Sequence, residues 1–225
     1  MITHHPDIIQ GTDAWHELRL GRLTASSMNA VMSAKTLKPT KAEGHLFDLL
    51  AQRITGHVEP QFISDDMLRG QADEIEARAL YARHYAPVTE LGFITRDFDD
   101  FTLGYSPDGL VGDDGLIECK SRRQKYQTET IIAGAVPIEH VLQCQAGLLI
   151  SGRQWLDYVS YCAGMPMTVI RVWPDETVQA AIVEAASVFE EALADRLQAY
   201  RDALAAKGAR LVETERRIEQ EMIGL

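Results

Sequence analysis

A chain of 225 residues, 46% apolar and 24% charged, has ordinary globular usage and suits one domain with room for an extension. It has no run of eighteen apolar residues and opens on Met1-Ile2-Thr3-His4-His5-Pro6, without a basic patch and apolar stretch. The expectation is therefore no membrane span and no secretion leader. Three scattered cysteines, Cys119, Cys144 and Cys162, argue for a reducing cytoplasm and cannot form a four-cysteine zinc or iron–sulfur site. The net charge of −11 argues against nonspecific coating of DNA, although a DNA enzyme can turn its acids away from its substrate.

In chain order, Asp13 to Gly21 reads as a short helix capped by Thr12 or Asp13, with Trp15, Leu18 and Leu20 on its apolar side. Thr24-Ala25-Ser26-Ser27 reads as the cap of a second helix running to about Met32, and Lys35 to Lys41 as a basic loop. A helix over Ala42 to Thr55 carries Leu46, Phe47, Leu49, Leu50 and Ile54 at helical spacing. Gly56 to Phe62 is a loop. Asp65 to Tyr85 is a long amphipathic helix with Met67, Ala72, Ile75, Ala79 and Leu80 recurring on one side. A strand is expected over Val88 to Thr95. Val141 to Leu149 reads as a helix, and Trp155 to Cys162 and Met167 to Trp173 as strands. From Asp175 the chain is helical almost to the end, with a stripe of Val178, Ile182, Ala185, Phe189, Leu193, Leu197 and Tyr200. Helices on both sides of a run of strands imply an α/β fold with a central mixed β-sheet flanked by helices. No domain boundary is visible, so residues 1–225 read as one domain with a long C-terminal helical extension from about 175.

The chemistry concentrates between 105 and 122. Tyr105 to Val111 and Leu116 to Arg122 read as the strands of a hairpin turning at Gly112-Asp113-Asp114-Gly115. Alternation puts Glu118 and Lys120 on one face, with Ile117 and Cys119 on the core side. Asp108, on the neighbouring strand, can then stand beside Glu118. Adjacent carboxylates repel, and a divalent cation with oxygen ligands removes that penalty. A lysine beside them adds positive charge where a phosphate or a nucleophilic water would lie. Asp, ten positions on Glu, one residue, Lys is the pattern of a metal-dependent nuclease. Glu74 on the long helix can aim one acid at the same place; Glu76 is its rival, roughly 200° away around the helix. Gln143 and Gln145 offer amides that could orient a water or phosphate oxygen. His4, His5 and His16 lack zinc-site spacing.

The chain resembles the lambda-type phage recombination exonucleases, the alkaline exonuclease branch of the PD-(D/E)XK nuclease superfamily. The matching segments are Asp13 to Gly21, Thr24-Ala25-Ser26, Arg69-Gly70 with Glu74, Ser106 to Leu110, Glu118-Cys119-Lys120 and Gln143-Cys144-Gln145. The resemblance implies a restriction-endonuclease-like PD-(D/E)XK core. It implies Asp108, Glu118 and the Cys119 main-chain carbonyl as ligands of Mg2+ or Mn2+, with Glu74 serving the second of two ions. It implies Lys120 next to the attacking water and Gln145 on the water or scissile phosphate. Arg19, Ser26 and Ser106 match positions that hold the 5′-phosphate. Arg122, Arg123 and Lys125 lie near a further phosphate-binding position, on which ungapped alignment puts Tyr126. Trp15 and Leu20 would be structural or wedge against the duplex end. The implied activity is 5′→3′ digestion of one strand of linear double-stranded DNA, leaving a 3′ overhang, by a ring-shaped homotrimer working with a single-strand annealing protein in a bacterial host. The rivals are an endonuclease of the same superfamily and a DNA-end-binding protein with a dead site.

Overall fold

The computed structural model describes residues 1–59, 64–208 and 210–216. In chain order the elements are β1 (Ile2–His5), α1 (Asp13–Arg19), a 3-10 turn (Ala25–Ser27), α2 (Met28–Val31), β2 (Met32–Ser33), β3 (Lys38–Pro39), α3 (Glu43–Thr55) and α4 (Asp65–His84). Then come β4 (Phe93–Asp97), β5 (Thr102–Tyr105), β6 (Gly109–Val111), β7 (Gly115–Ser121), α5 (Gln124–Ala133), α6 (Ile138–Ser151), β8 (Trp155–Tyr161), β9 (Thr168–Val172) and α7 (Glu176–Ala205).

Local chemistry sets many of these boundaries. The Thr12 side chain accepts from the Trp15 N–H to start α1, and Ser64 accepts from Met67 N–H to start α4. Asp175 accepts from Thr177 and Val178 N–H at 3.0 and 3.1 Å to start α7. Each satisfies amides that the first helical turn leaves free. Gly134, in the left-handed region at φ 57°, closes α5.

Two sheets carry the site. The antiparallel sheet β1-β4-β5 lies in order beside a mixed sheet β6-β7-β8-β9, in which β7 and β8 run parallel and the other pairs antiparallel. The parallel pair needs a crossover, and α5 and α6 supply it. α6 is the central buried helix: Leu142, Cys144, Ala146, Leu148 and Ile150 are all within 1% of complete burial. It packs on β4, β5 and β8, and against α2 and α7. On the opposite side, Ala77 and Tyr81 of α4 meet Val111, Ile117, Cys119 and Val159 in a second apolar cluster. The architecture is α/β, a mixed sheet between helices. No helix among the described residues is long and apolar enough to cross a membrane.

Several expectations are corrected. The strand expected from Tyr105 to Val111 is broken: β5 ends at Tyr105 in one sheet and β6 begins at Gly109 in the other. Pro107 has no N–H for a ladder, and the chain changes sheet across Ser106-Pro107-Asp108. The strand expected over Val88 to Thr95 begins at Phe93, with Thr89 making an isolated bridge to Leu110. On α4, Met67 and Ile75 are 47% and 60% exposed, and the buried residues are Ala77 and Tyr81. The sheet is approached by Asp73, Glu74 and Ala77, so polar groups occupy the inner side where apolar periodicity pointed outward. Phe47 of α3 is also exposed, while Leu46, Leu49 and Leu50 are buried. α7 ends at Ala205, and Tyr200 is exposed. From Val178 to Leu193, α7 belongs to the main core with α3 and α6. The end of the expected C-terminal helix (217–225) and part of the Gly56 to Phe62 loop lie outside the described residues. β1 and α5 were not expected.

Candidate active site

β7 passes through the sheet with its side chains divided as alternation requires. Ile117 and Cys119 enter the apolar cluster under α4, and Glu118 and Lys120 face the other way. Lys120 Nζ donates to Glu118 Oε1 at 2.7 Å. Gln143 Nε2, from α6, donates to the same oxygen at 2.5 Å. Tyr105 Oη, at the end of β5, donates to Glu118 Oε2 at 2.9 Å. A carboxylate that is 1% exposed is thus held by a cation, an amide and a phenol, which offsets the cost of burying its charge.

Asp108 sits where the chain changes sheet. Its Oδ2 accepts from the Cys119 N–H at 2.6 Å, so the turn is clamped to β7 one residue past Glu118. Burial pushes its pKa well above the ordinary carboxylate range, and the nearby charges of Glu118 and Glu74 push it further. Glu74 on α4 is raised too, chiefly by burial, against the lowering effect of Arg78. Burial works against the charge of Lys120, but Glu118 and Asp108 outweigh it and push its pKa up.

These are the surroundings a divalent ion fits. Asp108 and Glu118 are both buried hard oxygen donors, and burial opposes the charge of Asp108. Among the described residues, no three His, Cys, Asp or Glu side chains gather closely enough to cage an ion by themselves. Glu74 feels the repulsion of the Glu118 charge, and its direct partner is Arg78 at 3.6 Å. Mg2+ ordinarily keeps waters and takes one or two carboxylates together with substrate phosphate oxygens, which this donor set can provide. Cys119 contributes only main chain, its thiol being in the apolar cluster.

The glutamine assignment is also corrected. Gln145, expected at the reacting phosphate, donates through Nε2 to Trp173 O at 2.9 Å and accepts through Oε1 from Asp175 N–H at 2.9 Å. It fastens α6 to the start of α7. Residues two apart on a helix point about 200° apart, so Gln143 faces Glu118 and Gln145 cannot.

The residues expected at a 5′-phosphate come together from distant segments. Trp15 Nε1 and Arg19 Nη1 both donate to Ser106 Oγ, at 2.8 and 3.3 Å. The Arg19 guanidinium lies over the Trp15 ring, 4.3 Å from its centre. Arg19 pairs with no carboxylate among the described residues, and burial lowers its pKa. It opens on a cleft of about 220 Å³ with Arg22, Thr24, Ser26 and Gln52, and Ser26 Oγ is 3.1 Å from Thr24 Oγ1. Ser106 stands two residues before Asp108, so Trp15 and Arg19 hold the same turn that carries this acid.

Arg122, Arg123 and Lys125 lie apart from that cleft, around an open cavity of about 620 Å³ with Arg69, Asp73 and Cys162. Arg123 pairs with Asp66 at 2.7 Å and Lys125 with Glu129 at 3.9 Å. Arg122 reaches His140 Nε2 at 2.8 Å and Glu139 at 3.1 Å. Burial, then Lys120 and Arg122, lowers the His140 pKa to about 4, so the ring is neutral and can accept.

Sequence reasoning missed Tyr105 and Arg78. Tyr105 was legible only as a strand residue, since nothing in its spacing reveals a phenol aimed at Glu118. Arg78 follows Glu74 by one helical turn, and that i, i+4 relation was the available signal.

The fold is that of the PD-(D/E)XK nucleases. The chain belongs to the YqaJ-like viral recombinase family, whose model matches residues 14–154. Among solved structures, an alkaline exonuclease from Laribacter hongkongensis (LHK-Exo) is 34% identical. The match covers 86% of this chain and 98% of that one, with a TM-score of 0.76. The structure of LHK-Exo in complex with dAMP matches equally well, with the same identity, coverage and TM-score. A phage-related exonuclease from Haemophilus somnus 129PT, 13% identical over 80% of this chain and 96% of that one, shares the fold at a TM-score of 0.57. No curated protein sequence is significantly similar.

Proposed function

We propose that this chain is a divalent-metal-dependent exonuclease that degrades one strand of linear double-stranded DNA from its 5′ end to mononucleotides. It would leave a 3′ single strand for annealing. The observation that carries this reading is the convergence of Asp108, Glu118 and Lys120 at the point where the chain changes sheet. Family membership and the likeness to an alkaline exonuclease seen with dAMP support it, because a deoxynucleoside monophosphate is what stepwise hydrolysis releases.

Asp108 and Glu118 would hold Mg2+ or Mn2+, with the Cys119 carbonyl and Glu74 serving a pair of ions. Such ions, when bound, activate water and neutralise charge on the leaving oxygen. Lys120, kept cationic by its acids, would steady the attacking water or a phosphate oxygen beside Glu118. Gln143 is placed to orient the same group. Arg19, Ser26 and Ser106 would hold the 5′-phosphate, with Trp15 fixing the Arg19 plane. A planar, fork-shaped donor over an aromatic ring suits a doubly charged terminal phosphate. That cleft favours an enzyme that begins at ends over an endonuclease. Arg122, Arg123 and Lys125 would meet the DNA backbone farther away.

The exposed apolar residues Met67, Leu68 and Ile75 on α4 and Ile131 and Ile132 on α5 support a subunit interface. A homotrimeric ring, acting in the host cytoplasm with an annealing protein, is the assembly proposed.

The test is direct. Purified protein with Mg2+ or Mn2+ should release nucleotides from linear duplex bearing a 5′-phosphate, more slowly from a 5′-hydroxyl end, and leave circular duplex whole. No release with either metal ends the proposal; nicking of circles would make the chain an endonuclease.

A further inference from the structure

Arg78 is assigned to nothing by the motifs or the relatives, yet it touches both sides of the acidic cleft. It lies on α4 one turn beyond Glu74, whose Oε1 is 3.6 Å from its Nη1. The same Nη1 donates to the main-chain carbonyl of Asp108 at 3.1 Å, a residue 30 positions further along the chain. Nη2 reaches Glu90 at 3.4 Å. The side chain is 20% exposed and lines a cavity of about 290 Å³ with Gln10, Glu74, Pro107 and Asp108.

A helical i, i+4 ion pair contributes little to stability, and that would be the ordinary account of Glu74 with Arg78. It leaves the bond to the Asp108 carbonyl unexplained. The Ser106-Pro107-Asp108 turn has no ladder of its own. It is held by Gln10 Nε2 on Pro107 O at 2.9 Å, by the Cys119 N–H on the Asp108 carboxylate, and by Arg78 on the Asp108 carbonyl. Of these, Arg78 alone also reaches carboxylates, those of Glu74 and Glu90. Nη1 serves the Asp108 carbonyl and faces Glu74 while Nη2 turns to Glu90, so the planar guanidinium fixes these directions together, which a freely rotating ammonium on a shorter reach does not.

We propose that Arg78 is a positioning residue: it braces α4 against the Asp108 turn and so sets the separation of Glu74 and Asp108, two acids that would serve the bound ions. This rests on the proposed function, because it presumes that those acids take up divalent ions. It requires that removing the brace loosen ion binding even without DNA.

The test compares wild type with Arg78→Gln and Arg78→Lys. Mn2+ uptake without DNA is followed by calorimetry, and kcat and KM on end-labelled linear duplex are measured separately. Both variants should bind Mn2+ about tenfold or more weakly, as removal of outer supports at metal sites commonly does. kcat should fall while KM for the duplex stays near the wild-type value. Mn2+ binding and kcat unchanged in both variants would overturn the proposal. So would a raised KM with intact Mn2+ binding, the mark of a direct DNA contact. Arg78→Lys keeps charge and approximate length, so a folding failure of Arg78→Gln leaves the decision with the lysine variant. Wild-type protein that takes up no Mn2+ and releases no nucleotide would reject the proposed function itself, a result distinct from variants that behave like wild type.

Discussion

Asp108 is held in the fold at a cost that only a cation or a proton relieves. Burial, Glu118 and Glu74 all oppose its charge. Asp108→Asn keeps an oxygen for the Cys119 N–H and removes the repulsion. It should stabilise the metal-free protein by about 1 kcal/mol while abolishing cleavage, the trade-off seen where function strains a site. Thermal melts in chelator and nucleotide release check the two halves. Gln143 and Gln145 should separate just as clearly. Gln143→Ala, losing one of three donors to the buried Glu118, should lower kcat along with a modest drop in melting, Lys120 and Tyr105 still holding the carboxylate. Gln145→Ala, leaving Trp173 O and Asp175 N–H without their partner, should cost about 1–3 kcal/mol of stability. The reverse pattern would return Gln145 to the reacting phosphate. His140 gives a pH signature. Its folded pKa is lowered to about 4 from 6.5, so between those values the unfolded chain binds the extra proton. Its contribution is intact above pH 6.5 and is lost as pH falls towards 4, by about 2 kcal/mol or less given its partial exposure. Denaturant melts across that window should show a shallower slope for His140→Gln.

Elements meet at the site through close approaches that spacing alone does not reveal. Gly147 of α6 lies against Tyr105: a Cβ there would stand 2.8 Å from the ring Cζ and 3.1 Å from the hydroxyl. Gly147→Ala should displace the phenol from Glu118, cost about 1–3 kcal/mol through overpacking, and lower activity although no acid is touched. An alanine variant with wild-type rate would show that Tyr105 is dispensable to Glu118. The same closeness explains what was legible. Alternation on β7 correctly divided Glu118 and Lys120 from Ile117 and Cys119, because a strand buried on both faces still obeys a period of two. The six motifs pointed to Asp108, Glu118, Arg19 and Ser106, which the fold draws together around the Ser106-Pro107-Asp108 turn. α4 was misjudged because its inner side carries Asp73 and Glu74 towards the site, so apolar periodicity there marks an outer surface. α5 was missed because Gln124-Lys125-Tyr126-Gln127-Thr128-Glu129 is polar throughout, its Gln127 being buried by hydrogen bonds to Ser160 and Pro166. Gln145 was misassigned because motif order does not record which side of a helix a residue occupies.

For the molecule as a whole, a net charge of −11 must coexist with a polyanionic substrate. Weak nonspecific attraction is the expectation, and persistence on DNA would then depend on a closed assembly more than on affinity. Light scattering should report the mass of three chains. Replacing Ile75 and Leu68 by glutamate together should yield monomers that still cut but release the duplex after few steps, read from the product-length distribution. Monomers already present in the wild-type protein would reject the ring.

The parallel pairing of β7 with β8 has a last consequence. Glu74, Asp108, Glu118 and Lys120 precede the crossover, whereas Gln143 and β8, the parallel neighbour of β7, follow it, joined through the exposed Gly134–Ala135 link. Severing the backbone there would divide the enzyme into two inert halves, each missing what the other supplies. Mixed together, they should regain cleavage only on reassembly, giving a nuclease whose destructive power can be switched on by bringing two fragments together.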